Sequence, residues 1–117
     1  MLQVRDQIDH HTTVLALIGT FDHQSTIGVE ALILGAKELG CRHIILDFSG
    51  VIAIDSVGLG QLFLWYHKMN PIHLQLSIVS PSSCVRAELE RSHISDIVPI
   101  YSSEQEAMQH ENPGLNP

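Results

Sequence analysis

The feature that most constrains the fold of this sequence is a change of hydrophobic period, from that of a strand to that of a helix, near residue 55. Residues 43–48 form a short apolar run typical of a buried strand. Downstream, apolar residues recur at helical spacing, at Leu59, Leu62, Phe63, Tyr66 and Met69. A strand followed by an amphipathic helix predicts a unit in which helices cover one face of a sheet.

The other predicted strands are short runs rich in apolar and β-branched residues. The full set of predicted strands comprises residues 2–8, 13–18, 43–48, 74–79 and 97–101. A polar turn at Asp9, His10 and His11 joins the first two, which favours a hairpin. Apolar and polar residues alternate in 74–79, as expected of a strand that is buried on one face only.

Helices are predicted between these strands, at 25–39, 56–70 and 80–92, and a last short helix opens at the capping box of Ser103. The first helix carries apolar residues near one face, which predicts that this face is buried: Ile27, Ala31, Leu34 and Ala36. The third helix begins with Ser80 as its cap and Pro81 in its first turn. Residues 49–54 are predicted to form a loop.

Alternating strands and helices after an opening hairpin predict an α/β fold. We expect a single domain with a mixed, mostly parallel sheet of about four to five strands, on which about four helices pack. A chain of 117 residues that is 44% hydrophobic suffices for one core. We place the domain at residues 1–110 and expect residues 111–117, rich in proline and asparagine, to form a flexible tail.

Composition excludes several classes of function. The net charge is −7 with six lysines and arginines, which argues against nucleic acid and against an anionic membrane surface as the main partner. No segment approaches the roughly 20 apolar residues of a membrane span, and the N-terminal residues have no apolar signal core. These features predict a cytoplasmic protein without direct membrane insertion, in which Cys41 and Cys84 are reduced.

The best candidate for a functional atom is the hydroxyl of Ser56, at the start of the second predicted helix. Backbone N–H groups and the positive end of the helix dipole collect there, so a phosphate on Ser56 would meet hydrogen-bond donors. A plain N-cap role, which stabilises a helix by about 1 kcal/mol, is the alternative. Gly58 and Gly60 lie just inside the helix, where each glycine lowers helix stability by roughly 1 kcal/mol relative to alanine. This cost indicates that the backbone of the helix is approached closely, either by a neighbouring element or by a docking partner.

Two other kinds of site are disfavoured. A serine hydrolase would need Gly-x-Ser-x-Gly, whereas Ile54 and Asp55 precede Ser56, so we predict no catalytic residue and no enzyme activity. Eight histidines suggest a metal, and Cys41 and His43 would share one side of a strand, but no second pair completes a ligand set. We therefore predict neither a metal nor another cofactor.

Two residues near these elements have open interpretations. Asp22 follows the second predicted strand and would act either as a helix cap or as an acidic neighbour of Ser56, since the ends of adjacent strands meet at one edge of a sheet. Trp65 lies off the apolar stripe of the second helix, so we expect it to be exposed, either as part of a contact surface or as one of the single apolar residues that protein surfaces normally carry.

The run Asp55-Ser56-Val57-Gly58-Leu59-Gly60, the strand before it and the segment 19–23 together resemble the STAS domain of the bacterial anti-sigma-factor antagonists. The resemblance covers nearly the whole chain. It implies that Ser56 is phosphorylated by a serine kinase of the histidine-kinase-like ATPase type, which is itself the anti-sigma factor, and that a metal-dependent serine phosphatase reverses the reaction. The unphosphorylated form would bind the kinase and release the sigma factor.

By the same resemblance, the residues expected to bind the partner surround Ser56: Asp22, His23, Asp55, Val57, Gly58, Leu59 and Gly60. The family usually has serine or threonine where this chain has Val57, which leaves Ser56 as the unambiguous phosphate acceptor. The alternative function is a STAS accessory subunit of a membrane transporter complex that is not phosphorylated. A small-molecule site at the sheet edge has no motif in its favour, and the oligomeric state is open, a weak homodimer included.

Overall fold

One sheet of five strands, in the order β1-β2-β3-β4-β5, organises the molecule, and the α/β prediction is confirmed. The structure is a computed structural model that describes residues 2–7 and 11–110. β1 is antiparallel to β2, and all the other neighbouring strands are parallel. The strands are β1 (Leu2–Gln7), β2 (Thr12–Phe21), β3 (His43–Ile54), β4 (Gln75–Val79) and β5 (Ile100–Tyr101).

Helices connect the parallel strands, since parallel neighbours need a crossover connection between them. They are α1 (His23–Glu38), α2 (Ser56–Met69), α3 (Ser83–Arg91) and α4 (Glu104–Gln109), with short 3-10 turns at Asn70–Ile72 and Ile94–Asp96. Ser103 caps α4 by accepting a hydrogen bond from the Glu106 N–H (3.1 Å), as its capping box predicts. Asp9 and His10 of the predicted turn, and the predicted tail at 111–117, lie outside the described residues.

The main core lies between the sheet and the helices α1, α2 and α3. It combines Leu15, Phe21, Leu46 and Phe48 of the strands with side chains such as Val29, Leu62 and Leu89 of the helices, all of them 1% exposed or less. The smaller α4 covers part of the other face, where Ala107 packs on Val14, Ile45 and Val79. Burial, and secondarily the Glu106 carboxylate, raise the pKa of Tyr101 above its ordinary value of 10.0 beside this helix.

The strands β2 and β3 continue further than their hydrophobic patterns predict. Residues 49–54, predicted as a loop, are the second half of β3, which pairs Ile18 with Gly50 and Phe21 with Ile54. Two shifts in register along this pairing interrupt the alternation of side chains, so no period of two is visible in the sequence. The prediction was therefore wrong at 49–54, and the extension carries the ends of both strands beyond β4.

Two helix predictions are also corrected. The buried residues of α1 are Thr26, Val29, Ile33 and Ala36, so most of the face predicted as core, including Ile27 and Leu34, is exposed. The cap of α3 is Ser82, whose hydroxyl accepts a hydrogen bond from the Val85 N–H (3.3 Å). Ser80 instead has a positive φ of 56° and directly follows β4, where its N–H donates to the Tyr101 carbonyl of β5 (2.9 Å) and its hydroxyl to the Ser102 carbonyl (2.9 Å).

Candidate functional site

Two aspartates follow the paired ends of β2 and β3. Phe21 and Ile54 are partners in the ladder, and Asp22 and Asp55 are the next residues of the two strands. The Asp55 N–H donates to the Phe21 carbonyl (3.4 Å), which ties the two turns together. The edge of the sheet thus brings the two carboxylates into one neighbourhood.

Each aspartate caps the helix that follows it. Oδ1 of Asp22 accepts hydrogen bonds from the N–H of Ser25 (3.2 Å) and from its hydroxyl (3.3 Å). Oδ1 of Asp55 accepts a bond from the Gly58 N–H (2.8 Å). The N-termini of α1 and α2 are therefore neighbours, and both are capped by a carboxylate. For Asp22 the capping role is present, and the strand that it follows is paired at its end with the strand that leads to Asp55 and Ser56.

Ser56 is the first residue of α2, and its side chain is exposed. The interpretation of Ser56 as a plain N-cap is wrong, because Asp55 holds that position and makes the capping bond. A serine that does not cap leaves its hydroxyl free for another use. Its location in the first turn places any anion attached to it at the positive end of the helix dipole.

The two glycines of α2 have different surroundings. A Cβ added to Gly58 would lie 2.5 Å from the Phe21 carbonyl oxygen and 2.8 Å from Cδ2 of the Phe21 ring. Gly58 is buried because α2 approaches β2 closely there, so its absence of a side chain serves packing within the domain. A Cβ added to Gly60 would meet nothing within 4 Å, and Gly60 faces solvent.

The residues predicted to bind a partner divide into presented and covered ones. His23, Asp55, Val57 and Gly60 are exposed, and Asp22 is half-buried. Gly58 is buried, and Leu59 is partly buried and packs on the main core. The surface around Ser56 is thus formed by the first turns of α1 and α2 together with their caps.

Trp65 does not contribute to an exposed contact surface. Its side chain is 2% exposed, and its ring centroid lies 6.0 Å from that of Phe21, inside the main core. Phe63, predicted as part of the apolar stripe, is the exposed aromatic residue instead. The buried face of α2 is rotated from the predicted one because Gly58 lets the helix lie close to β2.

Sequence reasoning missed exposed aliphatic residues on α1. Ile27 and Leu34 are predicted to face the core, but their side chains are 59% and 54% exposed. The signal that could have indicated this is a second apolar set on the same helix, Val29 and Ile33, which competes for the buried face. A helix with two apolar faces in a one-core domain must leave one of them uncovered.

Electrostatically, this edge is acidic. The lysines and arginines in the described part of the chain are Arg5, Lys37, Arg42, Lys68, Arg86 and Arg91. None belongs to the first two turns of α1 or α2, and Lys68, Arg86 and Arg91 form ion pairs with glutamates. Asp22 and Asp55 thus have no lysine or arginine in the first two turns of the helices that they cap. A partner could supply one.

The cysteine and histidine considered as metal ligands are engaged otherwise. The Cys41 thiol lies 3.2 Å from the carbonyl oxygens of His11 and His43, and Nε2 of His43 lies 2.7 Å from Oγ of Ser77. Over residues 2–7 and 11–110, no group of three or more histidine, cysteine or acidic side chains could hold a metal ion. In the same part of the chain, no helix has the length and apolar character needed to cross a bilayer.

Comparison with known proteins supports the family resemblance. The model of the STAS domain family matches residues 2–107. An anti-sigma F factor antagonist of Paenibacillus polymyxa is 27% identical over 110 residues, which cover 92% of this chain and 94% of that protein.

Among solved structures, the anti-sigma factor antagonist SpoIIAA in its unphosphorylated form superposes with a TM-score of 0.78 at 23% identity, over 93% of this chain and 94% of that one. The Bacillus cell fate determinant SpoIIAA in its phosphorylated form gives 0.72 at 22% identity, over 96% and 100%. A sulfate transporter family protein from Wolinella succinogenes gives 0.77 at 14% identity, over 91% and 88%. At these identities the superpositions establish the fold alone.

Proposed function

The chain belongs to the STAS domain family, and we propose that it is an anti-sigma-factor antagonist whose binding to its partner is controlled by phosphorylation of Ser56. The partner would be a serine kinase of the histidine-kinase-like ATPase type that also binds the sigma factor. The kinase would exchange the sigma factor for this chain in the cytoplasm. Support comes from the relative in Paenibacillus polymyxa, which is named as an anti-sigma F factor antagonist. A metal-dependent serine phosphatase would reset the switch.

The observation that carries this proposal is the position of Ser56. Its hydroxyl is exposed at the first residue of α2, while Asp55 makes the capping bond that a serine would otherwise make. Val57, the next residue, has no hydroxyl, so this turn offers one acceptor. The existence of a phosphorylated form of SpoIIAA, which shares the fold, is consistent with a phosphate acceptor in this family.

In the proposed reaction, Oγ of Ser56 attacks the γ-phosphorus of ATP. The new O–P bond forms as the bond to ADP breaks, and the hydroxyl proton passes to a base of the kinase. This chain contributes the nucleophilic oxygen and the surface that positions it, whereas the kinase contributes the nucleotide and the catalytic groups. The chain itself then acts as a substrate and a binding protein.

The phosphate would act mainly on the interface. It adds roughly −1.5 to −2 charges at pH 7 beside Asp55 and near Asp22, where α1 and α2 offer no lysine or arginine in their first two turns. The helix N-terminus stabilises an anion by about 0.3–1 kcal/mol, so the fold tolerates the modification. A partner surface that desolvates this edge would not tolerate it, because repulsion and desolvation act together.

The test is phosphorylation of the purified chain by the histidine-kinase-like anti-sigma factor of the same organism, with ATP. Intact mass should increase by one phosphate, and Ser56→Ala should abolish the increase. Ser83→Ala is a matched control, because Ser83 is also exposed at the first residue of a helix, behind the cap of Ser82. A phosphate retained in Ser56→Ala, or none in the wild type, would contradict the proposal.

The second candidate is a STAS accessory subunit of a membrane transporter complex that is not phosphorylated. The observation in its favour is the shared fold with a sulfate transporter family protein of Wolinella succinogenes. This candidate predicts that Ser56→Ala behaves like the wild type in every assay. It also predicts that the chain copurifies from membranes with a transporter subunit, with no anti-sigma factor present.

A further inference from the structure

α1 and α2 each expose two aliphatic side chains seven residues apart. On α1 these are Ile27 (59% exposed) and Leu34 (54%), and on α2 they are Val57 (46%) and Leu64 (50%). Seven residues correspond to about two turns, or about 10.5 Å along a helix. Two helices thus carry the same spacing of apolar side chains, and we call these four residues the α1–α2 face.

The helical positions of the two pairs place them on the sides of α1 and α2 that the Glu30–Lys68 ion pair joins. α1 and α2 start at the same sheet edge and run in the same direction, since each follows one of two parallel strands. Nζ of Lys68 lies 3.7 Å from Oε1 of Glu30, so these side chains bridge the helices. Leu34 and Leu64 are each four residues from a member of this ion pair, on adjoining helical positions.

Gly60 adds room on this face. It lies between Val57 and Leu64 on α2, and a Cβ there would have no neighbour within 4 Å. A glycine in a helix interior costs about 1 kcal/mol relative to alanine, and no packing within the described residues accounts for it. The space that it leaves suits a partner element that approaches the backbone of α2.

We propose that the α1–α2 face docks an amphipathic helix of the anti-sigma factor, with a basic residue of that helix next to Asp22 and Asp55. This inference rests on the proposed function and identifies the binding mode. Apolar residues spaced by two turns on adjacent helices match the i, i+3, i+4 and i+7 pattern of a third helix packed in their groove. The face begins at Val57, directly after Ser56, so the docked helix would end at the phosphorylation site.

Charge complementarity favours this occupant over a second copy of the chain. The end of the face near Ser56 carries Asp22 and Asp55, and no lysine or arginine lies in the first two turns of α1 or α2. A second copy would bring the same net charge of −7 and two more carboxylates to the contact. The basic residue of the docked helix would instead pair with Asp22 and Asp55. A phosphate on Ser56 would then lie next to the end of the docked helix that carries this basic residue.

The experiment measures the Kd of the complex with the purified histidine-kinase-like anti-sigma factor of the same organism, by calorimetry. Leu34→Glu and Leu64→Glu are chosen because they lie far along the helices from Ser56. Each should weaken binding by at least about tenfold, as expected for apolar anchors in an interface centre. Ile72→Glu is the control, since Ile72 is 48% exposed beyond the end of α2 and should change Kd less than about twofold.

The outcomes separate this inference from the proposed function. Unchanged affinity in both glutamate variants, with Ser56 still phosphorylated, would overturn the docking mode and leave the switch intact. No complex and no phosphate in the wild type would overturn both. A dimer of the chain alone in sedimentation equilibrium, dissociated by Leu34→Glu, would show that a second copy occupies the face. Circular dichroism of each variant checks that weaker binding is not caused by loss of the fold. The milder substitutions Leu34→Gln and Leu64→Gln serve the same purpose.

Discussion

At the scale of single residues, the candidate site depends on which side chain caps α2. Asp55 accepts the hydrogen bond of the Gly58 N–H, and Ser56 is left exposed one position later. A serine cap would have tied its own hydroxyl to the helix. The aspartate therefore secures the start of α2 and leaves the Ser56 hydroxyl, the proposed phosphate acceptor, exposed, and Asp22 caps α1 in the same way.

Gly58→Ala should destabilise the domain by about 1–3 kcal/mol, as overpacking does, because the added Cβ would lie 2.5 Å from the Phe21 carbonyl oxygen. Gly60→Ala is the matched control on the same helix. It has open space around it and should leave stability unchanged or raise it by up to about 1 kcal/mol through helix propensity. Urea unfolding of both variants checks this, and equal effects would contradict the assigned roles.

Asp22→Asn should separate capping from charge. Asparagine caps about as well as aspartate, so the free energy of unfolding should stay within about 0.5 kcal/mol of the wild type, while partner affinity and phosphorylation rate fall. Asp22→Ala should in addition lower the free energy of unfolding by about 1 kcal/mol, because the helix cap is missing. If Asp22→Asn binds and is phosphorylated like the wild type, Asp22 serves only as a helix cap.

At the scale of secondary-structure elements, the sequence predicted which segments are helices and strands better than it predicted their faces and ends. The strand-to-helix change near residue 55 was visible because the two periods differ. The second half of β3 was not, because its register shifts against β2 break the alternation. The buried face of α1 was misassigned because two apolar sets on that helix compete, and only the position of the sheet selects Val29 and Ile33.

Trp65 on α2 is another residue whose burial the sequence does not predict, and its role can be tested. Its ring lies in the core against Phe21, so Trp65→Ala should cost about 3–5 kcal/mol. Phe63→Ala, two residues away, removes a side chain that is about half-exposed and should cost far less. Denaturation followed by circular dichroism distinguishes them. A small loss for Trp65→Ala would contradict its place between α2 and β2.

At the scale of the whole molecule, the proposed phosphorylation site lies at an edge of the sheet and outside the main core. Ser56 lies at the edge where β2 and β3 extend beyond β4, whereas the main core lies below it between sheet and helices. A charge added at this edge need not enter the core. The general location of the site could be predicted from the motif, but the adjacent caps of Asp22 and Asp55 depend on the pairing of Phe21 with Ile54, which sequence spacing alone does not determine.

Ser56→Asp should therefore keep the fold. A carboxylate in the first turn of α2 interacts favourably with the helix dipole by about 0.3–1 kcal/mol, so the melting temperature should stay within a few degrees of the wild type. Partner affinity should fall because the edge becomes more negative. Differential scanning calorimetry and a binding titration on the same sample check both parts, and a variant that unfolds would contradict the separation of switch from core.

The central claim is that phosphate on Ser56 acts by ending partner binding. The most direct measurement is the Kd of the anti-sigma factor kinase for the chain before and after stoichiometric phosphorylation, with the nucleotide state held constant. The phosphorylated form should bind at least about a hundredfold more weakly, since a charge placed against a desolvated interface costs several kcal/mol. Equal affinity of the two forms, with the phosphate located on Ser56, would contradict the account.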